Sequence, residues 1–529
     1  MANIFQNVKA NRPQNSGFDL SHERKFTCNM GELVPILVQE VVPGDKFQVT
    51  TEMLVRLAPL ATPTMHRINT YTHFFFVPNR LVHNKWQEAI TGGEDGNDQT
   101  IIPRIKLDAV NWDTFSPLFT EGTLADYMGI PTIQDNYGGV DLEINALPFR
   151  AYQLIYNEYY RDQNLQEKVE QVQDSGFEPN GTIVNTLTMR QRNWEKDYYT
   201  SCLPFPQKGE PVLLPLAGMA DIVLDPSVTD YNYNQKFRNA GTGATSSTVS
   251  AINNGANGAI VDATSKQKYV DPNHSLKADL STTTASTIND LREAFQIQKW
   301  LERNARSGSR YIESILSHFG VKTSDYRLQR PEYLGGGKSP IVISEVLQTS
   351  HTVAETPQGN MAGHGFGFGE TNTFNKYFEE HGYIIGIMSV LPTTAYQQGI
   401  PRHFLRKDKF DYYWPEFANL GEQEVSNHEI FFDGTNDLQP FGYQQRYAEY
   451  RYTPSSVHGD FKNTLAKWHM GRVFDGEPGL NAEFVEAHPT HDIFAVTDES
   501  EDKLFIQLYN KVKAIRPMPY LAEPGFIDH

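Results

Sequence analysis

Residues 47–57 alternate between a mainly apolar set and a mostly polar set, and this alternation constrains the fold more than any other feature of the sequence. The two sets are Phe47, Val49, Thr51, Met53, Val55 and Leu57 on one side and Gln48, Thr50, Glu52 and Arg56 on the other. Successive side chains of a β-strand point to opposite faces of the sheet, so this period of two predicts a strand with one buried face.

Two more strands are predicted beside this one. Residues 33–42 precede it across the turn sequence Pro43-Gly44-Asp45, and residues 68–77 follow it with a second alternating pattern. Three strands joined by turn residues favour an antiparallel sheet. Later strand-like segments are residues 211–224, 341–348, 383–391, 493–496 and 504–515.

Helices are predicted as interruptions of the strands, because apolar residues recur there at helical spacing. The segments are residues 79–90, 148–161, a helix from about 287, and 310–319 with Gly320 as its C-terminal cap. Residues 148–161 carry one stripe that we expect to pack against a sheet, made of Phe149, Tyr152, Ile155, Tyr156 and Tyr159.

Residues 226–286 differ in composition from both flanks. They are rich in Gly, Ala, Ser, Thr and Asn and have few large apolar side chains, so they cannot bury a core alone. Two interpretations stay open, a disordered linker and a folded excursion stabilised by copies of itself. The predicted organisation is one β-sandwich formed by residues 1–225 and 287–529, with 226–286 as an insertion.

Composition excludes several classes of protein. The net charge of −18 argues against a chain that binds nucleic acid by its overall charge. Two cysteines in 529 residues exclude a disulfide framework and predict reduced thiols. The first residues lack the apolar core of a signal peptide and no apolar run reaches 18 residues, so we expect a protein that is made in a cytoplasm and does not insert into membranes.

Short segments that resemble enzyme motifs fail on their surroundings. Residues 334–339 end in Gly-Lys-Ser, but Pro340 and a strand pattern follow where a phosphate-binding loop requires a helix. Residues 363–369 contain Gly-x-Gly without a following helix pattern, which predicts a mobile glycine–aromatic loop. Residues 488–492 and 94–98 are read as surface turns, since Pro489 prevents helical alignment of the histidines and the acidic turn lacks the calcium-loop order. We therefore expect no catalytic, cofactor or metal residues.

Four blocks of sequence resemble the major capsid proteins of gokushoviruses, in the microvirus family. The blocks are FDLSHERKFTCNMGELVPILVQEVVPGDKFQVTTEMLVRLAPLATPTMHRINTYTHFFFVPNRLV (18–82), LREAFQIQKWLERNARSGSRYIESILSHFGV (291–321), RPEYLGGGKSPIVISEVLQTS (330–350) and YNKVKAIRPMPY (509–520). They span the chain from one end to the other.

The resemblance implies a mainly β fold, an eight-stranded antiparallel jelly roll with large helical and irregular loop insertions. It further implies that about sixty copies form a T=1 icosahedral shell around circular single-stranded DNA. A surface insertion at the threefold axes, which would be residues 226–286, would contact a receptor on the bacterial host. A small basic DNA-packaging protein is the implied partner; the negative charge of the chain by itself leaves divalent cations or polyamines as alternative sources of positive charge. The implied location is the virion, assembled in the cytoplasm of the host bacterium.

Three sets of residues follow as candidates for these contacts. Segments dense in aromatic rings are candidates for the subunit interface, namely Tyr412, Tyr413, Trp414, Tyr443 and Tyr447; internal packing under long loops is the open alternative. Basic residues near the start are candidates for facing DNA, namely Lys9, Arg12, Arg24 and Lys25; an exposed solvated tail is their alternative. The larger side chains of the insertion are candidates for the host-contact protrusion, namely Tyr231, Tyr233, Phe237, Val249, Ile252 and Ile260; an inert spacer is the alternative.

Two rival functions fit a β-sandwich of this composition. One is a lectin-like jelly roll that binds carbohydrate, and the other is a glycosidase whose paired carboxylates would be invisible in sequence. Particle size separates them from a coat protein, because either rival would stay a small oligomer.

Overall fold

The computed structural model describes residues 14–108, 111–132, 142–212, 288–308, 310–347, 361–434 and 438–521, and the backbone of seven short strands between 221 and 279. Contacts divide the chain into two units, one formed by residues 1–208 with 302–529 and the other by residues 209–301. The predicted insertion, residues 226–286, falls inside the second unit.

The strands of the first unit that precede the second unit are β1 (Ser16–Asp19), β2 (His22–Cys28), β3 (Val34–Val41), β4 (Lys46–Leu57), β5 (Ile68–Pro78), β6 (Arg104–Leu107) and β7 (Leu142–Asn145). The second unit contains β8 (Asp221–Leu224), β9 (Phe237–Asn239), β10 (Thr245–Ser246), β11 (Asn253–Asn254), β12 (Ile260–Val261), β13 (Lys268–Val270) and β14 (Leu276–Asp279). The remaining strands of the first unit are β15 (Glu332–Leu347), β16 (Met361–Glu370), β17 (Phe374–Tyr377), β18 (Gly382–Pro392), β19 (Glu422–Ser426), β20 (Pro440–Gln445) and β21 (Leu504–Arg516).

The α-helices are short except for one. They are α1 (Trp86–Thr91), α2 (Trp112–Phe115), α3 (Leu124–Met128), α4 (Leu147–Ile155), α5 (Asn180–Leu187), α6 (Ile288–Ser307), α7 (Tyr311–Phe319), α8 (Asn427–Ile430) and α9 (Ala482–Val485). Gly320 ends α7 at a φ of 69°, in the left-handed region, so the predicted C-terminal cap is confirmed.

The main sheet of the first unit has the strand order of a jelly roll. Its long strands pair in two sets, β2-β21-β4-β16 and β3-β18-β5-β15, and every pairing is antiparallel. Strand β15 joins the sets, because residues up to Ile341 pair with β5 and those from Val342 onward pair with β16. The predicted mainly β jelly roll is therefore confirmed.

The core between the two sets is formed by the faces that the sequence pattern marked as apolar. In β4, the side chains of Phe47, Val49, Met53, Val55 and Leu57 are all buried, and they pack with inner residues of β18 and β21. Burying one such aromatic or aliphatic side chain stabilises the fold by about 1.5–3 kcal/mol. The strand predicted from the period of two thus forms where expected, with its apolar face inward.

Strands β5 and β18 are buried on both faces, which is why their sequences read as nearly continuous apolar runs. Alternate residues of each strand enter a second core, where Phe75 and Ile385 pack with the aromatic stripe of α4. The expected packing of that stripe against a sheet is confirmed. Both cysteines, Cys28 and Cys202, are buried free thiols, in agreement with the prediction of reduced cysteines.

The prediction of a mobile loop at residues 363–369 is wrong, because this segment lies within β16. Its glycines face inward, where side chains of the neighbouring strands β4 and β15 occupy the space that a side chain would need. A β-carbon on Gly365 would lie 2.4 Å from Leu57 Cδ1, and one on Gly369 would lie 2.3 Å from Ser339 Oγ. Glycine usually weakens a strand, but here it is required because Leu57 and Ser339 lie so close to the backbone of β16.

Two smaller predictions also need correction. Residues 493–496 form no strand; Ile493 and Phe494 are buried in a turn that makes a single bridge to Leu60. The helix predicted at 79–90 is split into a 3₁₀ turn, Asn79–Leu81, and α1.

Of the strand predicted at 211–224, only β8 and residues 211 and 212 lie among the described residues. Residues 335–339 lie within β15, which continues past Pro340 as the predicted strand pattern requires.

Replacing Gly365 by alanine is expected to destabilise the fold by about 1–3 kcal/mol, since the new methyl group overlaps the side chain of Leu57 on the neighbouring strand β4. Urea unfolding of the unassembled chain measures this loss. Gly17→Ala is the matched control, because a β-carbon there meets no atom within 4 Å. Equal stability of the two variants would contradict the crowding of Gly365 by Leu57.

Glu32 is expected to make the fold less stable as the pH rises towards neutrality. Burial, reinforced by Asp502, raises the pKa of Glu32 from its ordinary 4.5 to about 7, against a hydrogen bond that its Oε2 accepts from Asn29 N at 2.8 Å. The folded chain therefore holds a proton that the unfolded chain releases between pH 4.5 and 7. The free energy of unfolding should fall across this window in the wild type and less in Glu32→Gln; parallel pH profiles would contradict the prediction.

Candidate interaction surfaces

Residues 408–417 form a loop that holds four aromatic rings at the surface, and we call it the aromatic loop. The Asp408 carboxylate accepts hydrogen bonds from the backbone N–H groups of Phe410 (2.7 Å) and Asp411 (3.3 Å), which starts a 3₁₀ turn. Pro415 begins a second turn, and the Trp414 indole N–H donates to the carbonyl of Lys409 at 2.7 Å. These local bonds fix the loop without regular secondary structure.

About half of each of four residues in the aromatic loop is open to solvent, whereas the fifth aromatic residue, Phe417, is half-buried against Phe410. The exposed fractions are 50% for Phe410, 53% for Tyr412, 49% for Tyr413 and 45% for Trp414. An exposed aromatic residue taken singly needs no explanation, but a contiguous group on one rigid loop is typical of a protein-binding surface.

Tyr447 supports this loop from beneath. It is 2% exposed, its hydroxyl donates to the carbonyl of Tyr412 at 3.2 Å and accepts from Trp414 N at 3.3 Å, and its ring lies 5.0 Å from that of Tyr413. Its φ of 63° lies in the left-handed region, which costs a non-glycine residue about 1–2 kcal/mol. The sequence grouped Tyr447 with the contact residues; because its ring is covered within the chain, it is a supporting residue instead.

Arg406 and the half-buried carboxylate of Glu449 support the same surface. The Arg406 guanidinium lies 5.0 Å from the centre of the Tyr412 ring and 4.5 Å from that of Tyr450, and one of its nitrogens is 3.5 Å from a Glu449 carboxylate oxygen. Tyr443, the other predicted contact residue, is half-buried in β20, and its backbone pairs with Leu203. The structure therefore brings Tyr412, Tyr413 and Trp414 together on the exposed aromatic loop. Tyr443 lies outside this loop and is less exposed than these three residues.

The basic residues predicted to face DNA point in different directions. Arg24 is partly buried and donates to the carbonyls of Pro35, at 3.3 Å, and Tyr127; burial lowers the pKa of its guanidinium. Its prediction as a DNA contact is corrected, since both bonds hold it inside the chain. Lys25, the next residue in β2, is exposed on the opposite face, 3.2 Å from Glu23. Lys9 and Arg12 lie outside the described residues.

The six residues predicted for a protrusion fall within the second unit. Tyr231, Tyr233, Val249 and Ile252 lie outside the described residues, and only the backbones of Phe237 and Ile260 are described, in β9 and β12. In these strands, β9 pairs with β10 and β13, and β11 pairs with β12.

A set of exposed aromatic residues on β16 and β21 was not singled out from the sequence. Phe366, Phe368, Phe505 and Tyr509 lie on one outer sheet face. The signal was present as a period of two in residues 361–370, but its glycines suggested a loop instead of a strand.

The described residues contain no group of three or more His, Cys, Asp or Glu side chains placed to hold a metal ion. Residues 488–492 form a surface loop, in which the Glu486 carboxylate raises the pKa of His488 from 3.3 Å away. No helix in the described part of the chain is long and apolar enough to cross a membrane.

Comparison with known proteins gives a consistent assignment. The family model described as "Capsid protein (F protein)" matches residues 6–526. Capsid protein VP1 of Bdellovibrio phage phiMH2K is 37% identical, over 98% of this chain and 97% of that protein. Capsid protein VP1 of Chlamydia phage 1 is 35% identical, over 99% of this chain and 98% of that protein. Capsid protein VP1 of Spiroplasma virus 4 is 32% identical, over 98% of this chain and 97% of that protein. The jelly roll, the exposed aromatic surface and these full-length matches lead to one conclusion: the chain belongs to the capsid protein (F protein) family, and within it resembles the gokushovirus coat proteins.

Proposed function

We propose that about sixty copies of this chain assemble into a T=1 icosahedral shell around circular single-stranded DNA, with the aromatic loop as a subunit contact and no catalytic role. The observation that carries the assembly part is the exposure of Tyr412, Tyr413 and Trp414 on a loop fixed from beneath by Tyr447. The membership of the capsid family supports the same conclusion.

The chemistry of the aromatic loop suits a subunit contact. Tyrosine and tryptophan rings bury large areas on association and have few rotatable bonds to immobilise, and they are enriched among the residues that dominate interface energies. The loop is also held in place before association by its internal hydrogen bonds, so less conformational entropy is lost when two subunits meet. Its residues would therefore contribute more to assembly than scattered surface ion pairs would.

The charge of the packaged DNA requires a further partner in this proposal. Each chain carries a net charge of −18, which adds to the negative charge of the phosphates. We propose that a small basic packaging protein supplies most of the positive charge, with divalent cations as the alternative. The proposed location of the assembled chain is the virion, formed in the cytoplasm of the bacterial host.

We also propose that residues 226–286 form a surface protrusion at the threefold axes that contacts a receptor on the host. The support is compositional, since a polar, glycine-rich insertion can be added to a jelly roll with little loss of stability, because loop closure costs only about 0.6 kcal/mol per doubling of length. Loops carried on a rigid scaffold are common recognition elements.

Trp414→Ala and Tyr412→Ala are expected to leave the chain folded but to raise the subunit concentration needed for shells by at least about thirtyfold, since truncating one interface aromatic costs about 2 kcal/mol or more. Sedimentation velocity and electron microscopy measure assembly, and thermal unfolding measures folding. Tyr311→Ala is the matched control, because this ring is 70% exposed but lies on α7. Unfolded loop variants, or equal loss of assembly in the control, would contradict the role of the aromatic loop.

Replacing residues 226–286 by a short Gly-Ser linker is expected to leave assembly and DNA packaging intact while abolishing adsorption to host cells. Particle yield, DNA content and adsorption are measured on the same preparation. Unchanged adsorption would contradict the attachment role, and loss of folding would show that the segment belongs to the structural core.

A further inference from the structure

The sheet β2-β21-β4-β16 has an outer face that is aromatic and basic, and we call it the outer sheet face. It is formed by alternate residues of the four strands: Lys25 and Thr27 of β2, Phe505, Gln507 and Tyr509 of β21, Leu54 and Arg56 of β4, and His364, Phe366 and Phe368 of β16. Phe368 is 69% exposed, and Phe366 and Phe505 are 44% and 45% exposed. Apart from the ring of His364 beside Phe366, no other aromatic ring in the described part of the chain stacks on these three.

Strand β16 is built so that its larger side chains point only to this face. Its inner positions are glycines, because the opposing atoms of Leu57, Ile341 and Ser339 leave no space for a β-carbon. The outer positions carry His364, Phe366 and Phe368. The rings of His364 and Phe366 are stacked, with centroids 6.1 Å apart and planes inclined by 26°. The strand therefore presents a row of flat rings to whatever covers the sheet.

The strand register places planar groups side by side across the sheet. Phe366 pairs with Arg56, and Arg56 pairs in turn with Phe505, so a guanidinium lies between two phenyl positions on neighbouring strands. In the next row across the sheet, Phe368 pairs with Leu54, Leu54 pairs with Gln507, and Gln507 pairs with Lys25. Neighbouring strands are about 4.8 Å apart and like-facing residues along a strand about 6.8 Å apart. Successive bases of an extended single strand can stack on rings at such spacings.

The charge of this face differs from that of the chain. Lys25 lies 3.2 Å from Glu23, and Lys511 is paired with Glu52. Within the described ranges no carboxylate lies at ion-pair distance from Arg56 or from Lys46, which is also exposed on the outer face of β4. Arg56, Lys46 and Lys513 of β21 are thus left for phosphates, while Glu370 of β16 adds a carboxylate to the same face; the net charge of the whole chain is −18.

We infer that the outer sheet face binds the packaged single-stranded DNA, with bases stacked on Phe366, Phe368 and Phe505 and phosphates near Arg56. This rests on the proposed function, since the shell must enclose such DNA for the site to be filled. The face fits DNA better than a second subunit because Gln507, Thr27 and charged side chains lie among the rings, whereas the centre of a subunit interface is more apolar and depleted of charge. Amide side chains beside stacked rings can also bond base edges.

The test measures binding of fluorescein-labelled (dT)20 to the unassembled full-length chain by anisotropy. Phe366→Ala with Phe368→Ala is expected to weaken binding at least about tenfold, because each stacked base contributes through its ring. Arg56→Gln should weaken binding and reduce by about one the slope of log affinity against log salt. Phe404→Ala is the matched control, because this ring is 72% exposed outside the sheet and its loss should leave affinity unchanged.

The same double variant is then tested in particles. Shells should still form, but with less DNA retained on heating than wild-type shells retain. The inference is overturned if the double variant binds (dT)20 as the wild type does, if a duplex of the same length competes equally, or if the variant fails to form shells while its affinity for (dT)20 is unchanged. The last result would identify the face as a subunit contact. Absence of shells from the wild type would instead refute the proposed assembly, because (dT)20 binding is measured on the free chain.

Discussion

The two sheets of the jelly roll must bury their inner faces against each other, and the rest of the structure depends on how closely they approach. Where β4, β18 and β21 supply inner side chains such as Phe47 and Ile384, the sheets are held apart by large apolar groups. Where β15 passes from one sheet to the other, the space narrows until only the glycines of β16 fit. One packing constraint thus determines both which residues fill the core and why β16 has aromatic residues on its outer face alone.

Outside this sandwich, the long connections are ordered by buried polar groups instead of by regular secondary structure. Tyr447 illustrates the principle, because its hydroxyl bonds the backbone of the aromatic loop while its own N–H donates to Gln423 Oε1 at 3.0 Å. A similar buried pair, Arg150 with Glu178 at 2.5 Å, ties α4 to the segment before α5. Removing one member of such a pair leaves a buried charge or donor without its partner, which costs more than the intact interaction contributes.

The electrostatic pattern follows the same division between interior and surface. A chain with a net charge of −18 repels copies of itself, so association must come from apolar and aromatic contacts. Cations are available locally where strand alternation points them outward, as with Arg56 and Lys46. Arg24, one residue from Lys25, points the other way and is held by two carbonyl groups. A single step along a strand therefore separates a structural arginine from a lysine open to solvent.

The sequence by itself determined the strands whose faces differ in polarity, since a period of two in residues 47–57 or 504–515 has one physical interpretation. It also determined the family, because long blocks of matching residues need no structure to be recognised. It misjudged residues 363–369, where glycine indicates a loop unless side chains of neighbouring strands fill the inner face. It also could not separate Tyr447 from Tyr412, because a ring under a loop and a ring on its surface have the same composition. Tertiary structure alone decided these cases, since burial and close approach depend on residues that are distant in sequence: Leu57 and Ser339 for the glycines, and the loop at 408–417 for Tyr447.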